Sequence, residues 1–492
     1  MIVSSFATSE PRFHQSEIEF VVSDSIILST VEDTFLHQVE PTMALGLLGE
    51  IFVGFKNSET HDGGGAAVSY THSRDNGATW SIPEFMPSLV NSSRQSDPWM
   101  NFFNGTLYYT YLDFHFNFDG TLNESSITMA RSTNHGTNWN LTKVTNNTGF
   151  ADKESFTIDS DGIIYLVYDD ILSVKIETEP TLIKLSRSFD GGQTFYDNVT
   201  IMDSNSSNFL GPYILAVNSP GELFTSWTYL GITPDDSDIY YDHSTDYGET
   251  WGIDKKLNQV NASYFTQSDL GRPKIVTLSV LEEDQNGRIY VLWEDLFYDK
   301  STFDVFMRYS DDKGKTWSDR ELVNDQTEGN QWNEDMEIDS SGNVHFLYYS
   351  DAGNNEYNIR YRVYFPDLDK FSEEIIVSSR NTSADLSRPG DYSTIRLDSQ
   401  DTAHLVWSDG RSGEMDIYYT QIRQVKQTSN ENSSLSGQSQ TIDLTSNILT
   451  TTSSSPQSSS ETSTEDSTQT EILSLMIIFL YPPLKRKGKW KQ

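Results

Sequence analysis

A five-residue segment ending in an aromatic residue recurs along this chain, as Ile51 to Phe55, Leu107 to Tyr111, Ile164 to Tyr168, Leu223 to Trp227, Ile289 to Trp293, Val344 to Tyr348 and Ala403 to Trp407. Such a repeat narrows the architecture more than composition can, because one small unit must bury its apolar faces against copies of itself. Each copy follows a turn-forming group, for example Asp159-Ser160-Asp161-Gly162 or Asp339-Ser340-Ser341-Gly342, in which Asp side chains bond to the backbone and Gly admits positive φ. A strand such as Glu154-Ser155-Phe156-Thr157-Ile158 precedes the turn, and another, such as Asp416-Ile417-Tyr418-Tyr419, follows the segment. The unit is predicted to be a four-stranded antiparallel sheet.

A second motif falls between the third and fourth strands: Ser73-Arg74-Asp75-Asn76-Gly77-Ala78-Thr79-Trp80, then the equivalent runs from Ser188 to Phe195, Ser244 to Trp251 and Ser310 to Trp317. A degenerate copy from Ser132 to Trp139 has Asn134 in place of Asp. In this spacing Asp accepts from N–H groups inside a tight turn, Gly takes a conformation that a Cβ disfavours, and Trp folds back onto the sheets.

The motif resembles the Asp box (BNR repeat) of sialidases and sialidase-like propellers, and the resemblance covers roughly Gln38 to Ile422. It implies an all-β fold, a β-propeller of four-stranded antiparallel blades. The repeat count gives seven blades, with the six of the family's sialidases as the alternative. In that family the box lies on the outer edge of the propeller, which assigns its Asp and Trp residues structural roles. The last unit ends after its third strand, while an unattached strand, Glu17 to Val22, stands before the first. This N-terminal strand is expected to complete the last blade and close the ring. The expected division is an N-terminal segment over 1–16, the propeller over 17–427, a Ser/Thr-rich stalk over 428–470 and a short apolar segment with a basic tail over 471–492.

With 34 Lys+Arg against 72 Asp+Glu, the chain lacks the basic stripe a phosphate backbone requires, which excludes nucleic acid as a partner. There is no Cys, hence no disulfide, thiolate metal site or Cys nucleophile. Sequons from Asn91 to Asn432 and the stalk fit a glycosylated protein outside a cell or on its surface. The run Ile472 to Tyr481 is about ten residues and precedes Lys485-Arg486-Lys487. That order is read as a shortened membrane anchor or a surface-sorting signal, since a spanning helix needs about 20 residues.

In a propeller the segments leading into the first strands converge on one mouth of the central channel. Here they bring Asp97, Trp99, Glu154, Glu334, Asp335, Asp391, Tyr392 and the guanidinium groups of Arg272 and Arg388 to that end. For an exo-sialidase or another glycoside hydrolase, Arg272 and Arg388, with Arg411, are the candidate carboxylate grip. Tyr392 is the nucleophile and Glu334 or Asp97 the acid or base. The family's early Arg-Ile-Pro motif has no counterpart in the chain. For a surface module binding glycans or partner proteins, Trp99, Trp332 and Tyr392 are stacking surfaces, with Asp335, Asp391 and Arg411 as polar contacts. The same acids offer hard oxygen ligands of the kind Ca²⁺ prefers. A third reading makes the Arg and Asp residues ion pairs between blades. His345 and His404, at equivalent second-strand positions, are read as repeat features and not as a metal pair.

Overall fold

The computed structural model describes residues 18–29, 35–58, 65–89, 94–116, 122–145, 150–171, 181–203, 209–229, 238–257, 278–296, 302–351, 356–383 and 390–426. The expected stalk, the apolar segment and the basic tail lie outside the described residues. The described strands form seven antiparallel sheets, one for each repeat, and so make a seven-bladed propeller.

The first four strands of blade 1 are His37–Leu45, Ile51–Ser58, Gly65–Ser73 and Glu84–Phe85, running from the channel outward. The first strands of the other blades are Arg94–Phe103, Phe150–Ile158, Phe209–Ala216, Ser279–Glu283, Gln331–Ile338 and Thr394–Leu397. In blade 6 the outermost position is taken by short pieces, Lys370–Phe371, Ile375–Ile376 and Thr382–Ser383, all paired with Glu356–Phe365.

The aromatic residues that end the repeats, from Phe55 to Trp407, are all fully buried. Side chains alternate across a strand, so Ile51, Val53 and Phe55 face blade 7 while Phe52 faces blade 2. Because each second strand is covered on both sides, its residues are buried on both faces and do not alternate with exposed ones. Seven apolar clusters result, one at each junction between consecutive blades. The last of them joins Val406, Ile417 and Tyr419 of blade 7 to Met43, Ile51 and Phe55 of blade 1.

The ring is closed as expected. Ile18–Val22 pairs antiparallel with Asp416–Lys426, from Ile18 opposite Lys426 to Val22 opposite Ile422, and supplies the strand that blade 7 lacks. Phe20 packs edge-on against Tyr361 at 5.7 Å and, with Val22, adds to the core between blades 6 and 7.

The five Ser-x-Asp/Asn-x-Gly turns fasten neighbouring blades. In blade 1, Thr79 donates to Asp75 through both its N–H (2.8 Å) and its hydroxyl (2.6 Å), and Gly77 N–H donates to Ser73 Oγ at 2.8 Å. Residue pairs with positive φ, Asn76 and Gly77 in blade 1 and Lys313 and Gly314 in blade 5, turn the chain. Each of the five turns also presents a carbonyl to the third strand of the blade before it. The donors are Tyr70 to Gly136 (2.6 Å), Arg131 to Gly191 (3.3 Å), Arg187 to Tyr247 (2.9 Å), Tyr241 to Gly314 (2.6 Å) and Gln421 to Asn76 (2.5 Å). Asn76 N–H donates in turn to Gly49 in the turn after the first strand, which puts these turns at the end of the channel opposite the lead-in segments.

His345 and His404 do repeat one another. Each bonds a Tyr hydroxyl of the third strand, Tyr361 at 2.6 Å and Tyr419 at 2.7 Å, and faces an Asp of the preceding turn.

Two outcomes are expected from this packing. Deleting residues 1–22 leaves the Ile422–Lys426 part of the last strand as a bare sheet edge, Ile26–Ile27 covering only Tyr418 and Tyr419, so the melting temperature falls and the protein self-associates on heating; calorimetry showing no change would refute closure by this strand. In Gly77→Ala the new Cβ, at φ +80, stands 2.8 Å from ring carbons of Tyr419. Denaturant titration is expected to show a loss of about 1–3 kcal/mol.

Candidate functional site at the channel mouth

The first strands of five blades are interrupted at one register. Pairing shifts between Val39 and Thr42, Ser96 and Trp99, Asp152 and Ser155, Leu210 and Tyr213, and Trp332 and Asp335. The first residue of each bulge is left-handed: Glu40 (φ 55), Asp97 (φ 50), Lys153 (φ 51), Gly211 (φ 60) and Asn333 (φ 50). Pro41, Pro98 and Pro212 follow three of them, since a bulge needs no ladder N–H at that point. Four non-glycine residues in this conformation, at about 1 kcal/mol or more each, persist only where the surroundings hold them.

What holds them is a set of contacts across the channel. Lys153 of blade 3 pairs with Asp97 of blade 2 at 3.2 Å and with Asp391, which leads into blade 7. Blades 3 and 7 are not neighbours, so this ion pair spans the opening. Lys153 also lies over the Tyr392 ring, 5.3 Å from its centroid, and the Tyr392 hydroxyl donates to Asp97 at 3.4 Å. Trp99 meets Tyr213 of blade 4 edge-on at 5.6 Å and Tyr392 at 6.0 Å. Glu40 is paired with Lys56 at 2.5 Å. Hydrogen bonds tie the lead-ins together: Asn333 Nδ2 to Gly390 O (2.8 Å), Ser393 Oγ to Asn333 O (2.7 Å), Thr394 Oγ1 to Pro41 O (3.0 Å) and Ser155 Oγ to Pro212 O (2.9 Å).

Inside this plug is a cavity of about 50 Å³, lined among others by Trp99, Lys153, Glu154, Tyr213, Glu334 and Tyr392. It has room for a few waters, against several hundred Å³ for a site that encloses a small molecule. Arg396 of blade 7 stands beside it, held by Asp335 at 3.0 Å and by Glu337 at 3.7 Å.

Acids outnumber these cations. Burial works against ionisation of Asp97, but Lys153 and Lys56 outweigh it and hold the carboxyl below its ordinary value. For the other acids burial prevails: Asp152, Glu334 and Glu337 are each pushed up to about 7, while Glu154, Asp169, Glu282 and Glu294 rise well above the ordinary range. Burial also raises the Tyr392 hydroxyl, with Lys153 opposing it. Among the described residues no three acidic or His side chains converge as a metal ion requires.

Of the residues expected at this site, Asp97, Trp99, Asp391 and Tyr392 meet around Lys153, and Glu334 and Asp335 line the same cavity. Trp332 lies elsewhere, 2 % exposed in the core between blades 6 and 7, stacked on Tyr349 at 5.5 Å, so its ring offers no face to a ligand. Arg411 is spent on Asp409 at 2.7 Å, over the Tyr418 ring at 4.0 Å and on Ser379 of blade 6 at 2.9 Å. Arg272 and Arg388 fall outside the described residues. In blade 5 it is Val280, paired with Leu292, that takes the register of Thr42 and Gly54. Lys153, Tyr213 and Arg396 were missed. Aligning the lead-ins on their bulges isolates Lys153 as the one cation in the series, and Arg396 shares its register with Glu282 and Glu337.

Lys153→Met is expected to lose about 3–5 kcal/mol at neutral pH, because Asp97 and Asp391 stay buried while losing the cation they share. Asp97 has its carboxyl lowered, so the stabilisation it contributes is present above its unfolded value of 3.8 and is lost as pH falls through the folded one. Urea titrations at pH 7 and pH 3 are therefore expected to show the deficit shrinking in acid.

No family model and no curated protein matches the chain. Solved structures do. An ulvan lyase from a new polysaccharide lyase family aligns with a TM-score of 0.50 at 12 % identity, over 76 % of this chain and 90 % of its own. The same kind of enzyme bound to -[GlcA(1-4)Rha3S]- aligns at 0.51 and 12 %, over 80 % and 95 %. A sialidase of Trypanosoma rangeli in complex with the inhibitor DANA aligns at 0.45 and 11 %, over 79 % and 55 %. At such identities the likeness is one of fold alone.

Proposed function

We propose that the chain is an extracellular Asp-box propeller that binds neutral glycans across its channel mouth. The observation that carries the reading is the aromatic bridge Tyr213–Trp99–Tyr392, drawn from three blades and set beside hydrogen-bonding carboxyls. Flat ring edges and faces next to polar groups suit the apolar faces and hydroxyls of a sugar. The size of the cavity favours a glycan lying over the mouth and not one swallowed by it. Among the described residues charge favours a neutral sugar: Lys153 is paired with two aspartates and Arg396 with Asp335 and Glu337, so neither is left to grip a carboxylate. The fold shared with a lyase solved bound to a saccharide supports glycans as the ligand class. The sequons and the Ser/Thr-rich segment support a place outside the cell.

A second reading, glycoside hydrolysis, is favoured by the contact between Tyr392 and Asp97, a hydroxyl nucleophile beside a carboxylate base. The raised Tyr392 hydroxyl works against it.

A glycan array with the intact protein is expected to retain neutral oligosaccharides over sialylated ones. Trp99→Ala should weaken retention about tenfold, as loss of a stacking ring of about 1–1.5 kcal/mol implies. Release of a fluorogenic aglycone that disappears in Tyr392→Phe would establish the hydrolase instead, and an array with no retention would defeat the glycan reading.

A further inference from the structure

The chain holds three Asn-Gly pairs, Asn76-Gly77, Asn104-Gly105 and Asn286-Gly287. All three lie in described turns with the asparagine exposed, so exposure does not separate them. The glycine N–H does. Gly77 N–H donates to Ser73 Oγ at 2.8 Å inside its Asp turn. Gly287 N–H donates to Asp284 O at 3.0 Å in the turn before the second strand of blade 5. Gly105 N–H has no acceptor among the described residues. It sits at the tip of the turn between Arg94–Phe103 and Thr106–Phe116, where Phe103 is opposite Thr106. The surroundings differ in the same sense: a Cβ on Gly77 would run into the Tyr419 ring, whereas one on Gly105 would meet no atom within 4 Å.

An asparagine followed by glycine can close on itself. The glycine nitrogen gives up its proton and bonds to the asparagine Cγ, the Cγ–Nδ2 bond breaks, and ammonia leaves behind a five-membered imide. Water then opens the imide at either carbonyl, giving aspartate or, where the main chain now runs through Cγ, isoaspartate. No oxidant or reductant is needed. Glycine favours the step because no Cβ crowds its nitrogen. A glycine N–H already donated to a fixed acceptor opposes both the loss of its proton and its swing toward Cγ, since that bond must first be given up. Asn104 must also leave its left-handed conformation (φ 46), and no atom packed on Gly105 holds the tip in place.

We propose that Asn104 is a site of spontaneous modification, its amide converted by water to isoaspartate and aspartate in the folded protein, while the turns that hold Gly77 and Gly287 protect Asn76 and Asn286. The product carries a new negative charge and, as isoaspartate, one more main-chain carbon in the turn at the end of blade 2 away from the lead-in segments. Asn104 also opens the sequon Asn104-Gly105-Thr106, so the test uses protein made in a host without N-glycosylation, in which the amide is free.

The full chain is incubated at pH 6 and pH 8.5, in buffer and in denaturing urea, and mapped by peptide mass spectrometry. In buffer Asn104 is expected to convert at least about tenfold faster than Asn76 or Asn286. Its rate should rise with pH, because the attacking nitrogen must lose its proton. In urea the protecting turns are gone and the three rates should converge. The aged peptide containing residue 104 should also accept a methyl group from an isoaspartate-specific methyltransferase, as the imide route demands; aspartate alone would exclude that route. An intact Asn104 in buffer, equal conversion of all three pairs in buffer, or a ranking that persists unchanged in urea would each overturn the proposal.

Discussion

Every blade of this propeller has two apolar faces and no core of its own. Its second strand is packed on both sides, so each sheet is stable only between two others, and a row of such sheets ends in two uncovered faces unless it bends into a ring. Apolar burial at the junctions thus demands closure, and closure demands a strand that the repeat does not provide. Ile18–Val22 meets that need by pairing with the last strand of the chain and laying Phe20 against Tyr361. The contacts that shape the channel exist because this seam holds the first and last blades in place.

Closure also explains why the channel mouth is rich in strained, charged residues. Seven first strands crowd round one axis, and a bulge in five of them swings the chain inward just where it enters the sheet. Side chains from blades that are not neighbours then meet, as Lys153 does with Asp391 and Trp99 with Tyr213. Left-handed Glu40, Asp97, Lys153 and Asn333 are the local cost of that geometry. With carboxyls in surplus over cations, burial raises several of the interior acids, Asp152, Glu334 and Glu337 among them.

Much of the scaffold was legible from the residues. The aromatic at the end of each second strand and the Asp turns at fixed spacing are local chemistry repeated, and repetition can be read without coordinates. The closing strand was legible too, because one unit lacked a strand and another segment had none to join. The site was legible only in part. Asp97, Trp99, Asp391 and Tyr392 could be placed at the mouth because lead-in segments converge by topology, but Lys153 could not be ranked above its neighbours without the register of the bulges. Trp332 and Arg411 show the limit from the other side. A large aromatic or a guanidinium near the right strand end reads as a contact surface, yet period-2 alternation turns Trp332 into a junction core and the adjacent Asp409 captures Arg411. Side-chain direction at a bulge depends on one shifted residue, and nothing local in the sequence announces the shift.

The strand Asp416–Lys426 is flanked on both sides, by Ala403–Asp409 and by Ile18–Val22. Tension applied through the chain beyond Lys426 therefore enters the propeller along the axis of a strand bonded to two neighbours, so the rungs of both ladders resist together in shear and are not peeled one at a time. A tether at that end would be gripped by two ladders loaded in shear, while a pull applied between Ile18 and Lys426, which sit opposite each other, would unzip the seam rung by rung.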